Sequence, residues 1–230
     1  MGLGGFIAGF VASLKSRLGA LTYSGDKYSA TAMLDTSRDG IAVSAAWIRE
    51  RAARGFECHR RLTRDDVASL ARLFSDACGE RDSGAGAMHL NEVIYRRWEG
   101  IDFRGGALAA AVMLKLELDP VLGGFRRWGP SWKGRFVVVF VDNSGVVYCI
   151  NAARAKRGSE AHAMIVEMYD IADACGFDFI AVWLPRRYNK ACDTVSKEQS
   201  LEAAAAAIRA FFAGKTILVS AYERWRSAGP

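Results

Sequence analysis

The sequence predicts an α/β domain whose mixed β-sheet, an antiparallel meander plus parallel strands, is flanked by helices. Three observations predict it. Phe136–Val141 is continuously apolar and mostly β-branched, the mark of a central strand covered on both faces. Residues 159–176 read as a capped amphipathic helix leading into a second strand, and residues 29–63 break into short β-compatible runs separated by turn chemistry.

Taken in order, Phe6, Phe10, Leu14, Leu18 and Leu21 recur at helical spacing, so residues 1–28 are expected to form an N-terminal amphipathic helix. Lys15 and Arg17 follow that apolar run instead of preceding it, unlike a signal peptide. Residues 30–34, 41–48 and 56–62 are the expected meander, with Asp35 to Gly40 as its first turn. Thr63 is an expected N-cap of a helix reaching Cys78, with Val67, Leu70, Leu73 and Phe74 on one face. Residues 79–87 read as a glycine-rich loop, and Asn91 as the cap of a helix through Trp98. A helical run over 107–118 follows, and Pro120, Gly123, Gly124, Gly129 and Pro130 make the next stretch irregular. After Phe136–Val141 come a short helix over 145–153 and the helix 159–176, with Ser159 as N-cap and Gly176 as stop. A strand over 179–184, helical segments over 189–196 and 201–212, and a weak strand or helix over 216–225 complete the chain.

Composition sets the outer bounds. In 230 residues, 51% are apolar and only four are proline, which excludes disordered and collagen-like classes. Lys and Arg number 31 against 25 Asp and Glu, a net charge of +6 that suits an anionic partner. Five scattered cysteines without a CxxC pair point to a reducing, intracellular compartment, cytoplasm or nucleus, and Cys58-His59 lacks the further ligands of a zinc site. No apolar run is long enough to span a bilayer, so no membrane partner is expected.

The chemistry lies in where the acids fall. Asp35 closes the first expected strand, Asp142 closes the most apolar one, and Asp193 opens the helix after the last core strand. Asp is common in turns, which is the plain account of Asp35, whereas an acid ending a buried strand stands where α/β folds place sites. If the strands are neighbours, the carboxylates converge, and hard oxygen ligands that repel one another suit Mg²⁺, with Mn²⁺ as substitute. Two such ions about 4 Å apart can serve a phosphodiester displacement.

These residues carry a resemblance. The run Phe140-Val141-Asp142-Asn143-Ser144-Gly145-Val146-Val147-Tyr148 resembles the strand-and-helix signature of ribonuclease H domains of reverse-transcribing elements. Val182-Trp183-Leu184-Pro185-Arg186-Arg187-Tyr188-Asn189-Lys190-Ala191-Cys192-Asp193-Thr194-Val195-Ser196-Lys197 is similar to that family's final strand, proline turn and N-x-x-A-D-x-L-S-R ending. Cys192, Val195 and Lys197 depart from it. Leu34-Asp35-Thr36-Ser37 resembles the opening D-A-S strand, and His89-Leu90-Asn91-Glu92 the H-I-N box.

The resemblance implies a ribonuclease H-like domain over 29–198, with an insertion around 100–132 and a C-terminal helical extension over 199–230. It implies cleavage of the RNA strand of an RNA–DNA hybrid, with two Mg²⁺ held by Asp35, Glu92, Asp142 and Asp193. Glu99 and Asp66 are the alternatives to Glu92, because Ile94 stands where the family's acid is usual. It further implies a DIRS-type or related retrotransposon context, with a reverse transcriptase polymerase domain as partner; no Tyr-x-Asp-Asp motif occurs in this sequence. Asn143, Arg154, Lys156, Arg157, Arg186, Arg187, Asn189 and Lys190 are the expected nucleic-acid contacts, holding phosphates without reading sequence. His162 is assigned a structural role, and Trp128, Trp132 and Trp183 a place in the core or a lid. The competing readings are an inactive nucleic-acid-binding or docking relative and an integrase-like strand transferase.

Overall fold

A computed structural model describes residues 70–80, 82–99, 101, 110–156 and 158–222. Residues 63–151 and 155–230 belong to one compact unit. Its strands are β1 (Ala71–Ala77), β2 (Gly84–His89), β3 (Glu92–Arg97), β4 (Phe136–Val141), β5 (Asp178–Trp183) and β6 (Leu218–Ala221). The helices are α1 (Ala110–Trp128), α2 (Ser144–Asn151), α3 (Glu160–Cys175), α4 (Lys190–Ser196) and α5 (Leu201–Phe211). The strands form one sheet in the order β5-β4-β1-β2-β3-β6. β1, β2 and β3 are antiparallel to one another, while β4 runs parallel to β1, β5 to β4 and β6 to β3. The expected mixed sheet of antiparallel and parallel strands between helices is therefore present.

The meander, however, is built from residues 71–97. The expected meander over 29–63 and the N-terminal helix over 1–28 lie outside the described residues. Where a helix to Cys78 was expected, β1 pairs on both sides, with β2 and β4, and the paired backbone overrides the helical spacing of Leu70, Leu73 and Phe74. The expected loop over 79–87 contains most of β2. Its small residues are required there: a Cβ on Gly86 would lie 2.6 Å from Val195 Cγ1, so α4 packs directly onto that strand. The expected helix from Asn91 to Trp98 is β3, with Ile94 facing one layer and Val93 and Tyr95 the other.

The stretch expected as an insertion, 100–132, holds the central helix. α1 continues through Pro120 to Trp128 because Leu118, Val121, Leu122 and Phe125 are all buried, which outweighs the hydrogen bond that Pro120 cannot donate. A Cβ on Gly124 would lie 2.8 Å from the Leu73 side chain, so α1 rests closely on β1. With α3 it buries Leu73, Val139, Met164, Ile165 and Trp132 in the main core. On the opposite face, α4 and α5 cover Val93 and Tyr95 with Val195, Ala204 and Ile208.

The second half follows expectation closely. Ser159 caps α3 by accepting from the His162 backbone N–H, and Gly176 ends it at φ +72°. The segment after 199 is only partly helical, since β6 extends the sheet beside β3.

Candidate metal centre

The parallel pairing of β1 and β4 fixes the first two acids. Phe74 pairs with Phe140, so Asp76 and Asp142 stand two residues further along adjacent strands, at the same end of the sheet. Glu117 reaches them from the second turn of α1. One carboxylate oxygen from each of Asp76, Glu117 and Asp142 lies within 4.8 Å of the others. Asp193, in the first turn of α4, adjoins this group: the Arg186 Nε lies 2.9 Å from Asp142 Oδ2 and 3.7 Å from Asp193 Oδ1.

The acids are held at a cost. Asp76 and Glu117 are 2% and 4% exposed. Burial pushes the Asp76 carboxyl up to about 6, with Asp142 and Asp193 adding to the rise against a hydrogen bond from Ser196. Burial pushes Glu117 up to about 8, with Asp76 and Asp142 as the next causes and a hydrogen bond from Asn143 opposing them. Ser196 donates to Asp76 Oδ2 at 2.6 Å, yet Asp76 Oδ1 and Asp193 Oδ1 are buried without any hydrogen-bond partner. Buried, mutually repelling carboxylates with unpaired oxygens are a donor set that a hard divalent cation satisfies.

No family model and no curated protein match the chain. Among solved structures it is similar to RNase H1 from the halophilic archaeon Halobacterium salinarum. That match has 15% identity and a TM-score of 0.38, and it covers 54% of this chain and 92% of that one. It is also similar to LC11-RNase H1, isolated from compost by a metagenomic approach, with 16% identity and a TM-score of 0.36, covering 63% of this chain and 99% of that one.

Of the acids named from sequence, Asp142 and Asp193 come together, and Asp35 and Asp66 lie outside the described residues. Glu92 does not join them. The β2–β3 hairpin carries it to the opposite end of the sheet from Asp76, where its Oε2 accepts from Trp128 Nε1 at 2.9 Å and pairs with Arg127 at 3.2 Å. Glu99 is exposed beyond β3 and outside the acid group. The acids missed from sequence are Asp76 and Glu117. Both left a signal: Asp76-Ala77-Cys78 follows apolar Leu73-Phe74 in the D-A-S manner, and Glu117 stands between Leu116 and Leu118 in a largely apolar helical run.

Among the expected nucleic-acid contacts, Asn189 is instead buried, its Nδ2 donating to the Ser75 carbonyl at 2.8 Å and tying α4 to β1. Asn143 caps α2, its Oδ1 accepting from the Gly145 N–H at 2.9 Å. Arg154, Lys156, Arg186, Arg187 and Lys190 are exposed, and Arg157 lies outside the described residues. Trp128 and Trp132 are core, as expected, but Trp183 is 53% exposed at the end of edge strand β5. No helix among the described residues is long and apolar enough to cross a membrane.

Proposed function

We propose that this chain is a divalent-metal-dependent nuclease of the ribonuclease H type that cleaves the RNA strand of an RNA–DNA hybrid. The observation that carries the proposal is the convergence of Asp76, Glu117 and Asp142 from β1, α1 and β4, with Asp193 beside them. Asp142 and Asp193 sit in the two boxes that resemble the family, and Asp76 and Glu117 complete the four acids that the resemblance calls for. The retroelement source, the polymerase partner and an intracellular site of action belong to the same proposal and rest on those boxes and on the cysteine usage.

In this reading Asp76, Glu117, Asp142 and Asp193 hold two Mg²⁺ or Mn²⁺. When bound, the ions would supply an activated water and neutralise charge at the leaving oxygen. The chain's own contribution is placement. Ser196 fixes the Asp76 carboxylate, Asn143 orients Glu117 while capping α2, and Asn151 clamps β5 through paired bonds with the Ala181 N–H and carbonyl. Arg187 and Lys190 are exposed in the segments that carry Arg186 and Asp193 and would hold phosphates, and the 2′-hydroxyl would mark the strand to be cut. In this reading Glu117, and not Glu92, is the helix acid, which favours an active enzyme over an inactive docking module.

A panel of end-labelled hybrid, double-stranded DNA and single-stranded RNA in Mg²⁺ tests the proposal. Only the RNA strand of the hybrid should be cut, leaving 5′-phosphate and 3′-hydroxyl ends, and Asp142→Asn should abolish cutting. Hybrid binding without cleavage by the unaltered protein would sink the enzymatic reading.

A further inference from the structure

The C-terminal end of β5 carries a feature that hybrid cleavage does not use. Trp183 is 53% exposed and Tyr188 64% exposed, whereas Trp98, Trp128 and Trp132 are all under one-tenth exposed. A solvent-facing indole in a chain that buries its other described tryptophans calls for an occupant.

The ring is fixed in place. Trp183 pairs with Val141, one residue before Asp142, and its indole Nε1 donates to the Asp142 carbonyl at 3.0 Å. The indole is thereby tied to the backbone of Asp142, and among the described residues β5 is an edge strand of the sheet. Beyond Pro185, the turn Arg186–Tyr188 adds a second exposed ring, with the Arg187 guanidinium 4.9 Å from its centroid. Lys190 is exposed one turn on. Two exposed rings interleaved with cations, the first tied to the Asp142 backbone, match the chemistry of a single-stranded nucleic acid, whose bases stack on rings while its phosphates meet Arg and Lys. A continuous duplex offers no such face, because its bases stack on one another.

We infer that Trp183 and Tyr188 form a stacking platform for unpaired nucleotides that continue from the hybrid, so that the preferred substrate is a hybrid with a single-stranded extension beside the cleavage site. This rests on the hybrid-cleaving reading and adds a specificity determinant to it. Trp183 is a positioning residue: it binds the strand next to the scissile phosphate and takes no part in bond breaking.

The test measures binding of the full chain to labelled hybrids in Mg²⁺ by fluorescence anisotropy at early times. Blunt hybrids are compared with hybrids carrying a four-nucleotide extension on each end in turn, and cleavage rates are followed in parallel. The unaltered protein should favour one extended hybrid by about tenfold, the scale of stacking one or two bases. Trp183→Ala should reduce that ratio to near one, Trp183→Phe should keep most of it, and thermal melting should confirm that both fold. Equal binding of blunt and extended hybrids, or a preference that survives Trp183→Ala, overturns the inference while hybrid cleavage stands. Failure to bind any hybrid overturns both.

Discussion

Arg186 links Asp142 to Asp193, with its Nε 2.9 Å from one carboxylate and 3.7 Å from the other. Its side chain is 65% exposed while the two acidic side chains are 7% and 19% exposed, so a surface cation offsets the charge of two largely buried acids. Divalent ions held as proposed would compete with Arg186 for the same oxygens. Arg186→Ala should therefore tighten Mn²⁺ binding, measured by calorimetry, by about threefold to fivefold, the scale of one exposed charge pair. The same variant should lower the salt dependence of hybrid binding by about one phosphate contact.

The raised Asp76 and Glu117 carboxyls make metal-free stability fall as pH rises. Each binds its proton more tightly folded than unfolded, so the stabilisation of the protonated acid is lost between pH 3.8 and about 6 for Asp76, and between 4.5 and about 8 for Glu117. In EDTA the melting temperature should drop by about 5 °C or more from pH 5 to pH 8. Saturating Mg²⁺ should flatten or reverse that trend, because the ion binds only the ionised, folded site. A melting temperature that rises from pH 5 to pH 8 in EDTA would contradict the burial of these acids.

Ser196 donates to Asp76 Oδ2, and among the described residues Oδ1 has no hydrogen-bond partner. Ser196→Ala leaves a buried carboxylate with neither oxygen paired, so denaturant unfolding should show a loss of about 1–3 kcal/mol. Cleavage should fall by about 10-fold or more through misplacement of Asp76, with little change in affinity for hybrid.

Gly86 sits beneath α4, where an added Cβ would come within 2.6 Å of Val195 Cγ1. Gly86→Ala should destabilise the fold by about 1–3 kcal/mol, and Val195→Ala in the same chain should recover much of that loss by making room. Additive losses in the double variant would show that the helix does not rest on the strand there.

The contrast between the halves of the chain has a physical origin. From Phe136 onward, local signals and tertiary structure agree: an apolar β-branched strand, a Ser159 cap, a Gly176 stop and a proline after β5 each do what their chemistry favours. Asp142 and Asp193 were legible for that reason. Before Phe136 the local signals mislead. β2 opens on four residues of glycine and alanine, where α4 and the backbone of β3 approach it closely, and such residues carry no strand signature of their own. α1 contains a proline that its buried face overrides, and without that helix Glu117 could not be placed. Glu92 was chosen by its nearness to an asparagine box, but sheet register decides which end of the molecule a residue reaches, and hairpin register is not written in composition.

The most direct test of the metal centre is Mg²⁺-dependent cleavage of a labelled RNA–DNA hybrid by the unaltered chain, by Glu117→Gln and by Glu92→Gln, with folding of each verified by circular dichroism. The account predicts cutting of the RNA strand by the unaltered protein, loss of at least about 100-fold in Glu117→Gln, and retention of cutting in Glu92→Gln. Full activity in Glu117→Gln, or loss confined to Glu92→Gln, would contradict it.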